Sequence, residues 1–130
     1  MFRPRYTRVR PTRSQPIKVQ VMGPRFLDAL EARNISRSGV AFWMPDAIPG
    51  CELDAVVRLL VTLPDERPFI VNGEVRHRTD RIGQEECGVE FIQLADPHRE
   101  WIEAYIARRL REERSPRDQG ASGRSDLTRS

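Results

Sequence analysis

Apolar residues alternate with polar ones along much of the chain between residues 17 and 91, a pattern typical of half-buried β-strands. In the clearest case, every second residue from Leu53 to Leu63 is apolar. At about 3.3 Å per residue, this segment predicts one curling strand on the order of 36 Å long. Residues 64–68 supply turn chemistry, and the alternation resumes over Phe69–Val75, where Gly73 is expected to mark a bend. The two segments therefore predict a β-hairpin.

Shorter strands are predicted before and after this hairpin, at Ile17–Val21, Phe26–Asn34, Val40–Met44 and Val89–Phe91. The second of these also fits a short helix, but turn signals on both sides favour a strand. The third is apolar at successive positions, which predicts burial on both faces. A polar loop is expected over residues 80–86, with its glutamates as solvated surface charge.

One helix is predicted to begin at Asp96–Pro97, an N-cap acid followed by proline at the first helical position. Its apolar stripe, expected to cover an open end or side of the sheet, consists of Trp101, Ile102, Tyr105, Ile106 and Leu110. Since the strand connections are of hairpin length and no crossover helix is predicted, the fold class is all-β with one terminal helix. We expect a six-stranded antiparallel β-barrel capped by a C-terminal α-helix.

The chain of 130 residues predicts one domain, residues 17–114, preceded by a flexible Arg-rich arm, residues 1–16, and followed by a disordered tail, residues 115–130. Residues 1–13 contain five arginines and no acid, although the formal net charge of the whole chain is only +3. No secretory signal or membrane-spanning stretch is recognised, which predicts a cytoplasmic protein without membrane insertion. Cys51 and Cys87 are interpreted as reduced thiols in the core.

Candidate chemistry is sparse. His77 and His98 have no partner at catalytic or metal-ligand spacing, and no glycine-rich phosphate-binding loop is present. We therefore predict no catalytic residue, no metal site, no cofactor and no enzymatic activity. The turn Asn34–Gly39 places an amide, a hydroxyl and a glycine in one tight connection, which can bind the edge of a planar polar ligand while Gly39 lets the ligand approach the backbone closely. The alternative is an Asx/Ser turn whose side chains satisfy its own backbone.

The turn resembles the second motif of the PilZ domain family, Asp or Asn-x-Ser-x-x-Gly, through Asn34, Ser36 and Gly39. The order of elements over residues 3–113 is similar as well, and further matches lie at Pro49–Gly50, Gly73–Arg76 and Gly88–Phe91. The resemblance implies a six-stranded antiparallel barrel with a C-terminal helix. It also implies a bacterial receptor for the second messenger cyclic di-GMP.

The first motif of that family, Arg-x-x-x-Arg before the first strand, is altered in this chain. If Arg8 takes the place of the second arginine, Pro4 occupies the place of the first, with Arg3 and Arg5 on either side. The resemblance thus implies a cyclic di-GMP site formed by Arg3, Arg5, Arg8, Asn34, Ser36 and Gly39. Arginine forks suit the phosphates and the guanine O6/N7 edge, and the turn would hold the other guanine.

Three functions follow as hypotheses. The first is a cyclic di-GMP receptor or adaptor that transmits second-messenger binding to an unidentified protein effector. The alternative is a PilZ-type protein-interaction module that does not bind cyclic di-GMP. The third is nucleic-acid binding through the basic arm, which is not expected because the arm lacks interleaved aromatic residues.

Overall fold

Six strands form a closed antiparallel barrel, and one helix follows them in the chain. The structure, a computed structural model, describes residues 6–22, 27–44, 51–81 and 84–114. The elements are β1 Lys18–Met22, β2 Leu27–Ser36, β3 Gly39–Met44, β4 Val56–Thr62, β5 Phe69–Arg81, β6 Gln84–Ile92 and α1 Asp96–Arg114. The strands pair around the barrel in the order β1-β2-β3-β6-β5-β4, with β4 pairing back onto β1. The predicted fold class is confirmed. The predicted tail, residues 115–130, lies outside the described residues.

The barrel interior is filled by the inward-facing residues of the strands, as the alternation predicts. Ile17, Val19, Phe42, Leu59 and Val61 are all fully buried. Strand β3 is buried at five of its six positions, and this confirms the prediction of an apolar strand covered on both faces. The β4–β5 hairpin is also confirmed, with Val61 opposite Phe69.

Helix α1 begins at Asp96, as predicted, and packs against the barrel core. Ile102 and Tyr105 are its buried residues. At its first turn, the ring of His98 stacks on Phe69 with the ring centroids 4.5 Å apart. The predicted apolar stripe therefore covers the barrel. Among the described residues, no helix is long and apolar enough to cross a membrane.

The single long strand predicted from Leu53 to Leu63 is wrong at its start. Strand β4 begins at Val56, because the chain turns just before it, where Asp54 has a φ of 72°. Asp54 N donates to Val75 O at 2.7 Å and Val75 N donates to Ala55 O at 2.9 Å, so the turn is fixed to β5. Leu53 is consequently exposed, although its place in the alternation predicts burial.

The polar loop predicted over residues 80–86 is also wrong. Strand β5 extends to Arg81 and β6 starts at Gln84, so most of this polar segment belongs to the sheet. Glu86 is buried, and its Oε2 accepts a hydrogen bond from Arg33 Nη1 at 3.0 Å. Glu85 pairs with Arg78. Glu85 and Glu86 can occupy this part of the sheet because the carboxylate of each pairs with an arginine from another strand.

The two cysteines are buried and free, which confirms their interpretation as core thiols. Burial raises the pKa of the Cys87 thiol to about 12 and also raises the pKa of the Cys51 thiol. Because the thiolate is the reactive form, both side chains are protonated at neutral pH and inert.

We expect iodoacetamide at pH 8 to alkylate Cys51 and Cys87 roughly 100-fold more slowly in the folded protein than in denaturant, since burial removes both access and thiolate. Mass spectrometry of quenched time points measures both rates. Equal rates in the two conditions would show that the barrel opens around the thiols on the timescale of the reaction.

Candidate functional site

The N-terminal arm lies against the barrel beside the Asn34–Gly39 turn. Val9 and Ile35 exchange two backbone hydrogen bonds, each 3.0 Å long, and Val9 is buried in the core. This bridge fixes the neighbouring Arg8, whose Nη1 donates to Asn34 Oδ1 at 2.8 Å. Two residues that the sequence assigned to one site are therefore in direct contact, although 26 positions separate them.

A β-bulge in β2 places Asn34 on the outside of the barrel. The β2–β3 register shifts between Ala32 and Asn34, so Arg33 is an extra residue without an opposite partner. Ala32 is buried, and strict alternation would bury Asn34 as well. The extra residue reverses the phase, so that Ile35 is fully buried and Asn34 is only half-buried. The bulge thus makes the Arg8 contact available.

Ser36 lies at the end of β2, opposite Gly39, and its side chain is almost fully buried. Its Oγ accepts a hydrogen bond from Ser38 N at 3.1 Å and lies 3.1 Å from Ser38 Oγ. This is the arrangement of the alternative reading, in which the turn satisfies its own backbone. The hydroxyl therefore has a structural role, and Ser36 also lines the cavity described next.

An open cavity of about 820 Å³ lies between the arm, the turn and strands β5 and β6. Three of the predicted site residues, Arg8, Ser36 and Gly39, line it. Asn34 joins them through its bond to Arg8. Arg3 and Arg5 lie outside the described residues.

The cavity also contains residues that the sequence did not single out as site residues: Tyr6, Ser38, Arg76, His77, Gly88, Val89 and Glu90. A second bulge explains two of them. The β5–β6 register shifts between Val75 and His77, so Arg76 is an extra residue, and Arg76 and His77 are both exposed. The sequence offered one indication of Arg76, because Arg76 ends the segment Gly73–Arg76 that matches the family pattern. That match indicates a hairpin and not a binding residue.

Two carboxylates hold the Arg76 side chain in this cavity. Its Nε donates to Glu90 Oε1 at 2.8 Å, and its Nη2 lies 3.6 Å from Glu74 Oε1. The hydrogen bond to Glu90, assisted by the charge of Glu74, raises the pKa of Arg76. The guanidinium is thus permanently charged and paired, yet 44% of its side-chain area remains exposed.

Gly39 is constrained by the backbone of β6. A Cβ built at this position would lie 2.3 Å from Val89 O. This close approach is a structural reason for glycine, independent of any ligand. A bulky substitution at Gly39 is therefore not the selective probe of binding that the turn motif suggests.

The arm, the turn and helix α1 are linked by one arginine. Arg37 Cζ lies 5.0 Å from the centre of the Tyr6 ring, and Arg37 Nε lies 3.3 Å from Glu103 Oε2 on α1. A second contact joins the arm to α1, since Arg109 Nε donates to Arg10 O at 2.8 Å. The helix is therefore in direct contact with the segment that carries Arg8.

The model of the PilZ domain family matches residues 3–108, which comprise the barrel and most of α1. The chain belongs to the PilZ domain family. This PilZ domain has no significant match among curated protein sequences.

Solved structures share its fold. The inhibitor of motility MotI/DgrA from Bacillus subtilis is 22% identical, with a TM-score of 0.71, and the match covers 88% of this chain and 54% of that one. The MrkH–c-di-GMP complex of K. pneumonia is 13% identical, with a TM-score of 0.73 and coverages of 88% and 55%. This PilZ domain thus spans about half the length of these two proteins.

The PilZ domain of YcgR from Escherichia coli with c-di-GMP is 15% identical, with a TM-score of 0.71. Here the match covers 91% of this chain and 99% of that one. At these identities, the likeness is evidence of the fold alone. This match therefore aligns nearly the whole of this chain with a single PilZ domain.

Proposed function

We propose that this PilZ domain is a receptor for cyclic di-GMP that acts without catalysis and transmits binding to a protein effector. The observation that carries the proposal is the contact between Arg8 of the arm and Asn34 of the turn at the edge of one cavity. Membership of the PilZ family and the c-di-GMP complexes of the structurally similar MrkH and YcgR support it.

The cavity has the chemistry that a cyclic dinucleotide requires. Its volume of about 820 Å³ lies within the usual range of small-molecule sites, about 300–1,000 Å³. Arg8 is exposed and offers a charged fork for a phosphate or for the O6/N7 edge of guanine. Tyr6 lines the same cavity and presents an aromatic ring suited to stacking on a base.

Transmission to an effector would use the contacts between arm and helix. A ligand that draws Arg8 toward its phosphate would shift the parts of the arm on either side of the fixed Val9, where Tyr6 and Arg10 lie. Those residues contact Arg37 and Arg109, and through them the exposed side of α1. Binding would then change the helix surface that a partner meets.

Isothermal titration of the full chain with cyclic di-GMP tests the proposal, with cyclic di-AMP as the control for a nonspecific anion. We expect saturable heat with cyclic di-GMP at micromolar concentration and none with the adenine analogue. No heat and no change in thermal stability at tens of micromolar would favour the alternative, an interaction module that does not bind the messenger.

A prediction for the altered first motif concerns Arg3 and Arg5. Because they flank Pro4, the place of the missing arginine, we expect either to substitute for the other. Arg3→Ala or Arg5→Ala alone should weaken binding only about twofold, and the double variant should lose far more than the product of the two. A double-mutant cycle on affinity at fixed salt measures this coupling. Additive effects would mean that the two residues contribute only diffuse positive charge.

A further inference from the structure

Arg76 offers a second guanidinium to a site whose first motif is altered. If Arg8 takes the place of the second arginine of that motif, Pro4 stands where the first is expected. In the described lining of the cavity, the guanidinium groups are those of Arg8, from the arm, and Arg76, from β5. A cyclic dinucleotide carries two phosphates, so two forks on different elements match its charge.

The position of Arg76 depends on the β5 bulge. Val75, immediately before it, is fully buried, and the residue after it, His77, is exposed on the cavity side with Arg76. An unbulged strand would place only one of these two neighbours outside. Extra residues of this kind often redirect a side chain next to a binding site.

We propose that Arg76 provides a second anion-binding fork of this site, and that Glu90 occupies this fork until the ligand displaces it. The inference rests on the proposed function, because the displacing anion is a phosphate of cyclic di-GMP. Glu90 itself lines the cavity, and its carboxylate oxygen takes the place on Arg76 Nε that a phosphate oxygen would take. Glu74, 3.6 Å away, retains part of the charge pairing during the exchange.

The proposed exchange predicts that neutralising Glu90 changes the affinity for the ligand in one direction. A carboxylate that competes with the ligand for Arg76 weakens ligand binding, so neutralising Glu90 strengthens it. The gain is modest, because an exposed ion pair contributes little net free energy in water.

The first experiment compares Glu90→Gln with Glu31→Gln by titration with cyclic di-GMP. Glu31 is exposed on β2 and is not among the lining residues, so both variants remove one negative charge. We expect Glu90→Gln to bind about threefold more tightly than Glu31→Gln. Equal affinities would overturn the competition by Glu90.

The second experiment isolates the Arg76 fork in the absence of the competing carboxylate. The double variant Arg76→Ala/Glu90→Gln is compared with Arg58→Ala/Glu90→Gln, since Arg58 is exposed on β4 and is not among the lining residues. We expect the Arg76 variant to bind about tenfold more weakly, as befits loss of hydrogen bonds to a charged group. Arg76→Lys in the same background should recover only part of the affinity, because a lysine lacks the planar fork.

The outcomes separate this inference from the function on which it rests. If the wild type binds cyclic di-GMP and the Arg76 and Arg58 double variants bind equally well, Arg76 is not a ligand residue and the receptor function stands. If the wild type does not bind, both proposals are wrong. Circular dichroism and the melting temperature of each variant verify that affinities are compared between folded proteins.

Discussion

Arg8→Ala is expected to weaken cyclic di-GMP binding by roughly 10- to 100-fold, the largest effect of any single change that leaves the barrel intact. Arg8 is held beside the cavity by the Val9–Ile35 bridge and is oriented by Asn34. Its hydrogen bonds to a phosphate would contribute about 1.5–3 kcal/mol. Since each 1.4 kcal/mol corresponds to a factor of about ten, loss of these hydrogen bonds lowers the affinity by roughly 10- to 100-fold. Titration calorimetry at fixed salt measures the change.

Arg10→Ala is the matched control for Arg8→Ala. Arg10 is exposed on the same arm and is not among the lining residues, and its contact with Arg109 uses a backbone oxygen that alanine retains. Arg10→Ala removes the same charge as Arg8→Ala without removing a guanidinium group from the cavity. If both variants lost the same affinity, the arm would act through its charge alone, and the placement of Arg8 would not matter.

Gly39→Leu is expected to disrupt the barrel itself. A Cβ at this position would lie 2.3 Å from the Val89 carbonyl oxygen, which is a backbone atom of the paired strand and has no freedom to rotate away. Strands β3 and β6 would have to separate at this point, so the variant should lose cooperative unfolding. Gly39→Ala already introduces the clash and should cost at least about 2 kcal/mol, comparable to overpacking elsewhere. In a domain of this size, that lowers the melting temperature by roughly 10 °C.

Gly88→Ala is the control for Gly39→Ala. Its Cβ would lie 3.2 Å from the Cβ of His77, so this contact requires a shift of only a few tenths of an ångström, much less than the contact at Gly39 requires. We expect a distinctly smaller change in melting temperature. A stable Gly39→Leu variant that had merely lost ligand binding would support the expectation drawn from the turn motif, namely that glycine serves the approach of the ligand.

The alternation of apolar residues predicted the elements of the barrel well, because burial on one face of a strand leaves a period of two in the sequence. The alternation pattern failed at two places where contacts in the folded structure override the local sequence pattern. Residues 80–86 contain several charges and were predicted as a loop, yet Glu86 is buried against Arg33. Leu53 belongs to the apolar alternation, yet it lies outside β4, because the left-handed conformation of Asp54 separates Leu53 from the strand. Neither the partner of a buried charge nor a single backbone reversal is visible in local periodicity.

The sequence predicted only part of the cavity lining, for a similar reason. The two motifs suggested Arg3, Arg5, Arg8, Asn34, Ser36 and Gly39 as candidate residues. The structure brings Arg8 into contact with Asn34 and places Ser36 and Gly39 in the lining of the same cavity. Arg76 was not identified as a site residue. Its sequence neighbourhood is that of an ordinary strand, and the cavity exists only when β5 lies beside the arm.

The sequence by itself determined the class of fold, the start of the helix and the family, because hydrophobic period, capping chemistry and motif spacing are local properties. Only the tertiary structure decided which way the side chains of the candidate site face. The bulges at Arg33 and Arg76 each add one residue to a strand and reverse the phase of its alternation. They turn Asn34 and Arg76 outward, while Ile35 fills the core. A bulge forms where strand pairing and core packing together are most favourable with one residue left over, and that balance depends on the partner strands.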